Sequence, residues 1–200
     1  LFVGNLTIRN DHGAATGDHD HQFAIRSGGA SSRIVLVHAN VLSDGGDTLS
    51  LWNADSGVSY QADCTFEGWV DFVCPRGWSY VTGSRFVAHG PTAAIWHDGS
   101  RDPDMKLVIR RSSFGGDPGF PLGRCNRDGQ FFLLDARFSA AMADRPIYRP
   151  SPEASYRWPP RAYFQGCRRD GGDFPWFADN LRAAPGAPRA REVTAAWTFG

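Results

Sequence analysis

The chain has 200 residues, 42% hydrophobic and 21% charged, and its 21 basic and 21 acidic side chains leave a formal net charge of zero. That composition supplies one sizeable core without bulk disorder, and it carries no electrostatic footprint for nucleic acid or an anionic membrane surface. No run approaches the ~18 apolar residues of a membrane span.

In chain order, Phe2 to Arg9 reads as a strand-like opening with no initiator Met. A single β-helix domain over residues 1–200 is expected, incomplete at its N-terminus and also at its C-terminus. Asp11 to His21 is a Gly/Asp/His-rich loop. His12, His19 and His21 lie there among Asp11, Asp18 and Asp20, a pattern that can hold a cation but is more often merely polar, and no metal is expected.

Ile34-Val35-Leu36-Val37 is a β-branched run, and Asn40-Val41-Leu42 follows it with a small or polar residue two places before Leu. The same pattern returns at Cys64-Thr65-Phe66, Ser84-Arg85-Phe86, Ser112-Ser113-Phe114 and Ala136-Arg137-Phe138, with a degenerate copy at Cys167; the steps are 24, 20, 28, 24 and 31. Units of this length, rich in β-formers and punctuated by Gly, Pro, Asn and Asp, read as coils of a solenoid. A propeller blade needs about 40 residues or more, which favours a parallel β-helix. Lys106-Leu107-Val108-Ile109 is a second β-branched run, and no stretch carries apolar residues at helical spacing over three turns, so helix content should be low. The Pro-rich stretch from Arg145 to Arg161 reads as a long excursion from one coil.

The repeat stacks two carboxylates. Asp47 follows Asn40 by seven residues and Asp71 follows Cys64 by seven, which gives them equivalent places on adjacent coils. Neighbouring strands lie about 4.7–4.9 Å apart, and two carboxylates so close titrate apart. One can then attack as a nucleophile while its neighbour holds a proton. The bland alternative is two solvated turn residues. The four cysteines, Cys64, Cys74, Cys125 and Cys167, have no metal-ligand spacing, and Cys64 and Cys167 fall on the small-residue ladder as buried thiols.

Four segments in order carry a resemblance. Asp47-Thr48-Leu49 looks like a Gln-Asp-Thr-Leu motif, Tyr60 through Phe72 like a strand, Cys and Gly-x-Val-Asp-Phe signature, Leu122-Gly123-Arg124 like Leu-Gly-Arg-Pro-Trp, and His21-Gln22-Phe23-Ala24-Ile25 like Gln-Ala-Val-Ala-Leu. Over nearly its whole length the chain thus resembles the pectin methylesterases, or pectinesterases, whose fold is an all-β, right-handed parallel β-helix. The resemblance implies a carbohydrate esterase that hydrolyses methyl esters of galacturonate in pectin through an aspartyl acyl-enzyme, releasing methanol. Asp71 would be the nucleophile, Asp47 the acid and then the base, and Arg124 the guanidinium that holds Asp71 ionised and aimed. It implies no cofactor, a partner in pectin or a related methyl-esterified uronate polysaccharide, no nucleic acid or membrane partner, a monomer, and a secreted or periplasmic location.

The sequence also departs from that pattern. Gly46 stands where the family places a Gln before the acid Asp, and the second oxyanion Gln aligns with Gln22 or with His21, with Gln22 favoured. Cys125-Asn126 replaces Pro-Trp after Gly-Arg. Other aromatics, Trp52, Trp69, Trp78 and Trp96, lie near the proposed site, with Trp69 and Trp96 the expected sugar contacts. Of Arg76, Arg101 and Arg127, Arg76 is the expected partner of a uronate carboxylate. A Cys74–Cys125 disulfide bracing the site is conceivable in an oxidising compartment. His97 is given no role. The alternative function is a catalytically weak or inactive β-helix that binds plant polysaccharide. A calcium-dependent pectate lyase is a poorer third, because no motif supports it.

Overall fold

Each turn of the chain adds one strand to a stack, in a computed structural model that describes residues 1–99, 102–151 and 156–200. The first sheet takes Phe2–Gly4, Arg33–Val37, Val58–Ala62, Trp78–Thr82, Leu107–Arg110, Gln130–Leu134 and Arg161–Gln165. The second takes Thr7–Asn10, Asn40–Ser43, Thr65–Gly68, Arg85–Ala88, Ser113–Gly116, Arg137–Phe138 and Arg168–Arg169. The third takes Ile25–Arg26, Leu49–Ser50, Val73–Cys74, Ile95–Trp96 and Gly123–Arg124. Strands follow one another in space in their chain order, and the pairings within all three sheets are parallel. This is the parallel β-helix that the repeat predicts.

The bend from first to second sheet explains the repeat. It is two residues long, and its first residue has a left-handed backbone in every coil: Asn5, His38, Asp63, Gly83, Arg111, Asp135 and Gly166, with φ from 49° to 67°. One such residue turns the chain sharply enough to start the next sheet. From the second coil onward the residue after it is small and buried, at Ala39, Cys64, Ser84, Ser112, Ala136 and Cys167, whereas Leu6 in the first coil is exposed. The ladder therefore begins at Ala39 and not at Asn40, because Asn40 pairs with Thr65 and is exposed. Asp47 and Asp71 nevertheless stack. The second bend holds Asp44, Gly45 and Gly46 before Asp47 but only Trp69 and Val70 before Asp71, and this extra residue compensates for the shift.

Inside the coils, Phe66, Phe86, Phe114 and Phe138 stand one above another, with ring centroids 5.4, 4.2 and 5.6 Å apart. Burying each such ring contributes roughly 1.5–3 kcal/mol, and stacked neighbours bury faces that no single coil could cover. Phe177, on the 3-10 turn Pro175–Phe177, closes one end of this column at 5.3 Å from Phe138. The remaining tail runs back over the outside of the first sheet. Arg110 donates hydrogen bonds to the carbonyls of Ala190 and Val193, and Trp197, in the short helix Ala195–Phe199, meets Phe132 edge-on at 5.2 Å. Among the described residues no helix is long and apolar enough to cross a membrane.

Candidate active site

Asp47 and Asp71 sit where the second sheet bends into the third, and both have a left-handed backbone, at φ 56° and 53°. Aspartate tolerates that conformation better than most residues. The Asp47 N–H donates to the Val70 carbonyl at 2.9 Å and the Asp71 N–H to that of Ala93 at 2.7 Å, so each aspartate is pinned to the next coil. The coil pairing of Leu49 with Val73 puts the two aspartates on adjacent rungs, whose backbones lie about 4.8 Å apart along the stack. Two coils beyond Asp71, on the third sheet, Arg124 reaches back to it. Its Nε lies 3.0 Å from both carboxylate oxygens and its Nη2 2.7 Å from Oδ2, a bidentate fork with geometric as well as electrostatic specificity.

Both carboxylates are largely enclosed, Asp71 at 4% and Asp47 at 8% exposure. Burial pushes the Asp71 carboxyl up to about 6, against the lowering effect of the Arg124 hydrogen bonds and charge, while the charges of Asp47 and Asp98 add to the rise. Burial also raises the Asp47 carboxyl, opposed by His21, Arg76 and Arg124. Arg124 loses solvation, but its bonds to Asp71 outweigh that and hold it more firmly protonated than usual. A pair of carboxylates both raised by burial, one of them gripped by a guanidinium, can divide into an ionised nucleophile and a proton carrier.

The structure does not bring Gln22 to this pair. Its side chain is buried, its Nε2 donates to the Asp18 carbonyl, and its Oε1 has no partner among the described residues. His21, the other alignment, bridges to Gly46 and faces outward, with Nε2 3.7 Å from Asp47 Oδ2 and Nδ1 2.7 Å from Asp20 Oδ1. Gly46 has a steric reason. A Cβ there would lie 2.8 Å from Val70 Cγ1, so the side chain of the next coil already fills the space.

Of the expected contacts, Arg76 is near enough for its charge to act on Asp47. Trp96 pairs in register with Arg124, whose guanidinium lies 5.1 Å from its ring centroid. Trp69 stacks on His19 at 3.9 Å. Arg76 lies 4.0 Å over Trp52, with Arg26 5.3 Å from the same ring. Trp78 opens a strand of the first sheet, Arg127 uses its N–H on Asp98, and Arg101 lies outside the described residues. His97 turns inward and is buried, its Nε2 on the Gly77 carbonyl, and burial depresses its pKa to about 4. All four cysteines are free. Cys74 lies two rungs from Arg124 in the third-sheet register, about 9.6 Å, beyond the ~7 Å Cα limit for a disulfide to the adjoining Cys125. Among the described residues no cluster of ligands could hold a metal ion.

Sequence reasoning passed over Arg26 and Tyr148 and read His19 only as a loop residue. Tyr148 bridges to Arg124 from within the Pro-rich excursion, under the guanidinium of Arg145 at 3.5 Å. The interval from Arg124 to Tyr148 is 24 residues, the same as the ladder step from Ser112 to Ala136, and that interval was the signal for it. Compared with protein-family models, with curated proteins and with solved structures, the chain finds no match. What the site does is therefore a question for its own residues.

Proposed function

We propose that the protein is a carboxylic ester hydrolase of pectinesterase type, acting outside the cytoplasm, in the periplasm or after secretion, on methyl-esterified galacturonate. The observation that carries this reading is the bidentate Arg124–Asp71 pair with Asp47 one rung away, at the point where the sequence resembles that family. Asp71 attacks the ester carbonyl carbon, and the tetrahedral adduct expels methoxide, which takes the proton of Asp47 and leaves as methanol. Asp47, now ionised, takes a proton from water, whose hydroxide adds to the anhydride carbonyl. Asp71 departs as a carboxylate and the uronic acid gives its proton to solvent. With Gly46 bare and the Gln22 amide engaged elsewhere, His21 is the side chain positioned to meet the developing oxyanion. Trp69, Trp96 and Arg76 would hold the sugar chain, the aromatics against ring faces and the guanidinium against a free carboxylate.

The test is methanol release from highly methylated pectin by the protein and by its Asp71→Ala variant, with folding checked by circular dichroism. Release that vanishes in the variant is expected. Equal release from both would refute the nucleophile. A folded protein that binds pectin and releases no methanol would favour the second reading, a polysaccharide-binding β-helix, for which the missing amide donors at Gly46 and Gln22 speak.

A further inference from the structure

On a different edge of the solenoid, where the first sheet bends into the second, Arg85, Arg111 and Arg137 surround an open groove floored by Gly83, Ser112 and Ser113. We propose that this groove binds the anionic groups of an acidic polysaccharide, independently of the carboxylate site. Arg85, Ser113 and Arg137 occupy one register column on three successive strands, which sets the two arginines two rungs apart, about 9.6 Å. Arg111 reaches the same space from the left-handed bend, two residues before Ser113. The concavity exists because Gly83 and Ser113 carry so little side chain between the arginines.

The charge here is unspent. Among the described residues the side chains of Arg85 and Arg137 have no hydrogen-bond or ion-pair partner, and all three arginines are exposed. Arg111 has only a 3.4 Å contact with the Thr82 hydroxyl. The acid in the groove, Asp135, is already engaged with Arg110, its Oδ2 3.5 Å from Nε. Asp63, one rung back, lies beneath Gly83. Three guanidinium forks with a serine hydroxyl between them suit oxyanions presented at regular intervals along a line, as on a linear polyanion laid parallel to the stack. Duplex or single-stranded nucleic acid fits less well. The columns Thr65, Arg85, Ser113, Arg137 and Glu67, Val87, Gly115, Ser139 offer no aromatic for a base to stack on, and a chain of zero net charge lacks the long-range field that nucleic-acid binding uses.

The experiment is binding of polygalacturonate, dextran sulfate and neutral dextran to the full chain, measured by calorimetry across a salt series. Its counterparts are the Arg85→Gln/Arg111→Gln/Arg137→Gln triple variant and a separate Arg124→Gln variant. The triple variant should bind the acidic polymers at least about tenfold more weakly, with a shallower salt dependence, while Arg124→Gln keeps the affinity and salt slope of this groove. Preference for polygalacturonate would assign carboxylates as the ligand, and preference for dextran sulfate would assign sulfates. Unchanged binding in the triple variant, or equal binding of neutral dextran, overturns the proposal. Because all three positions are exposed, the variant should keep its fold, and each arginine tested singly supplies the check if it does not. Loss of methanol release in Asp71→Ala bears on the other site alone.

Discussion

At the residue scale, the reactive pair is defined by what burial and Arg124 do to Asp71 in opposite directions. Its carboxyl titrates at about 6, so the nucleophilic form is lost on acidification, and kcat/KM should fall as pH drops below about 6. Since Arg124 pulls that value down, Arg124→Gln should move the acid limb to higher pH as well as lower the plateau, and a pH–rate profile of both proteins checks it. An unchanged limb would mean that Asp71 does not govern it. The same raised value makes protonation of Asp71 favour the folded state: the contribution is full below the ordinary carboxylate range and is lost as pH rises through about 6. His21→Ala should lower kcat ~10²-fold or more if its ring serves the oxyanion, with the Asp20 and Asp47 contacts both gone, whereas Gln22→Ala should leave kcat nearly intact. This distinction was illegible in the sequence. His21 and Gln22 are neighbours, and which one faces out depends on a bridge to Gly46 that no spacing reveals. Asp47 and Asp71, by contrast, were legible because the repeat put them on adjacent coils, with the extra residue of the second bend offsetting a ladder begun at Asn40 instead of Ala39, while Arg124 was legible only through the resemblance of Leu122-Gly123-Arg124.

At the scale of the element, the two-residue bend accounts for the repeat and makes its energetics testable. His38 and Gly83 occupy the same left-handed position in different coils, at φ 52° and 61°. A non-glycine residue there costs roughly 1–2 kcal/mol, part of which glycine gives back in chain entropy. His38→Gly, at an exposed position, should therefore stabilise the fold by about 1 kcal/mol in chemical denaturation. Gly83→Ala should act in the opposite direction, since its Cβ would also lie 2.3 Å from Asp63 Oδ1. The second residue of the bend explains why the repeat was visible at all: from the second coil onward it is small and buried, so Cys64, Ser84, Ser112 and Ala136 stand out before each Phe. The first coil escaped correct reading because Ala39-Asn40-Val41-Leu42 offers two small residues and two apolar ones, and either pair satisfies the pattern. The physical arbiter is the left-handed His38, whose conformation the sequence does not display.

At the scale of the whole molecule, the solenoid is a stack whose faces must be covered by something other than the next coil. The inner Phe column is covered by stacking and by Phe177, but the outer face of the first sheet is itself apolar, with Tyr60, Tyr80, Val108, Phe132 and Tyr163 packed under the returning tail. That tail was unreadable in the sequence because residues 178–196, rich in Ala, Pro, Gly and Arg, show neither strand alternation nor helical spacing. It is attached by the buried side chains of Leu181, Ala184 and Val193, by hydrogen bonds of Asp179 and Asn180 to the strand Arg161–Gln165, and further along by the Arg110 hydrogen bonds to Ala190 and Val193, the Lys106 ammonium 4.6 Å over Trp197, and Trp197 against Phe132. A segment that adds no strand to any sheet should open locally at less free energy than the coils, whose strands are paired to their neighbours. Trp197→Ala should accordingly cost about 1–2 kcal/mol, less than a fully buried ring because Trp197 is half-buried. It should raise amide exchange across 190–200 and along the first sheet's outer residues while leaving kcat/KM on methylated pectin unchanged, since the carboxylates lie on a different bend. Amide exchange followed by mass spectrometry separates the outcomes. Faster exchange confined to the tail and first sheet would establish it as an independently opening strap; uniform acceleration through all coils would show that tail and solenoid unfold as one cooperative unit, with the tail acting as part of the core.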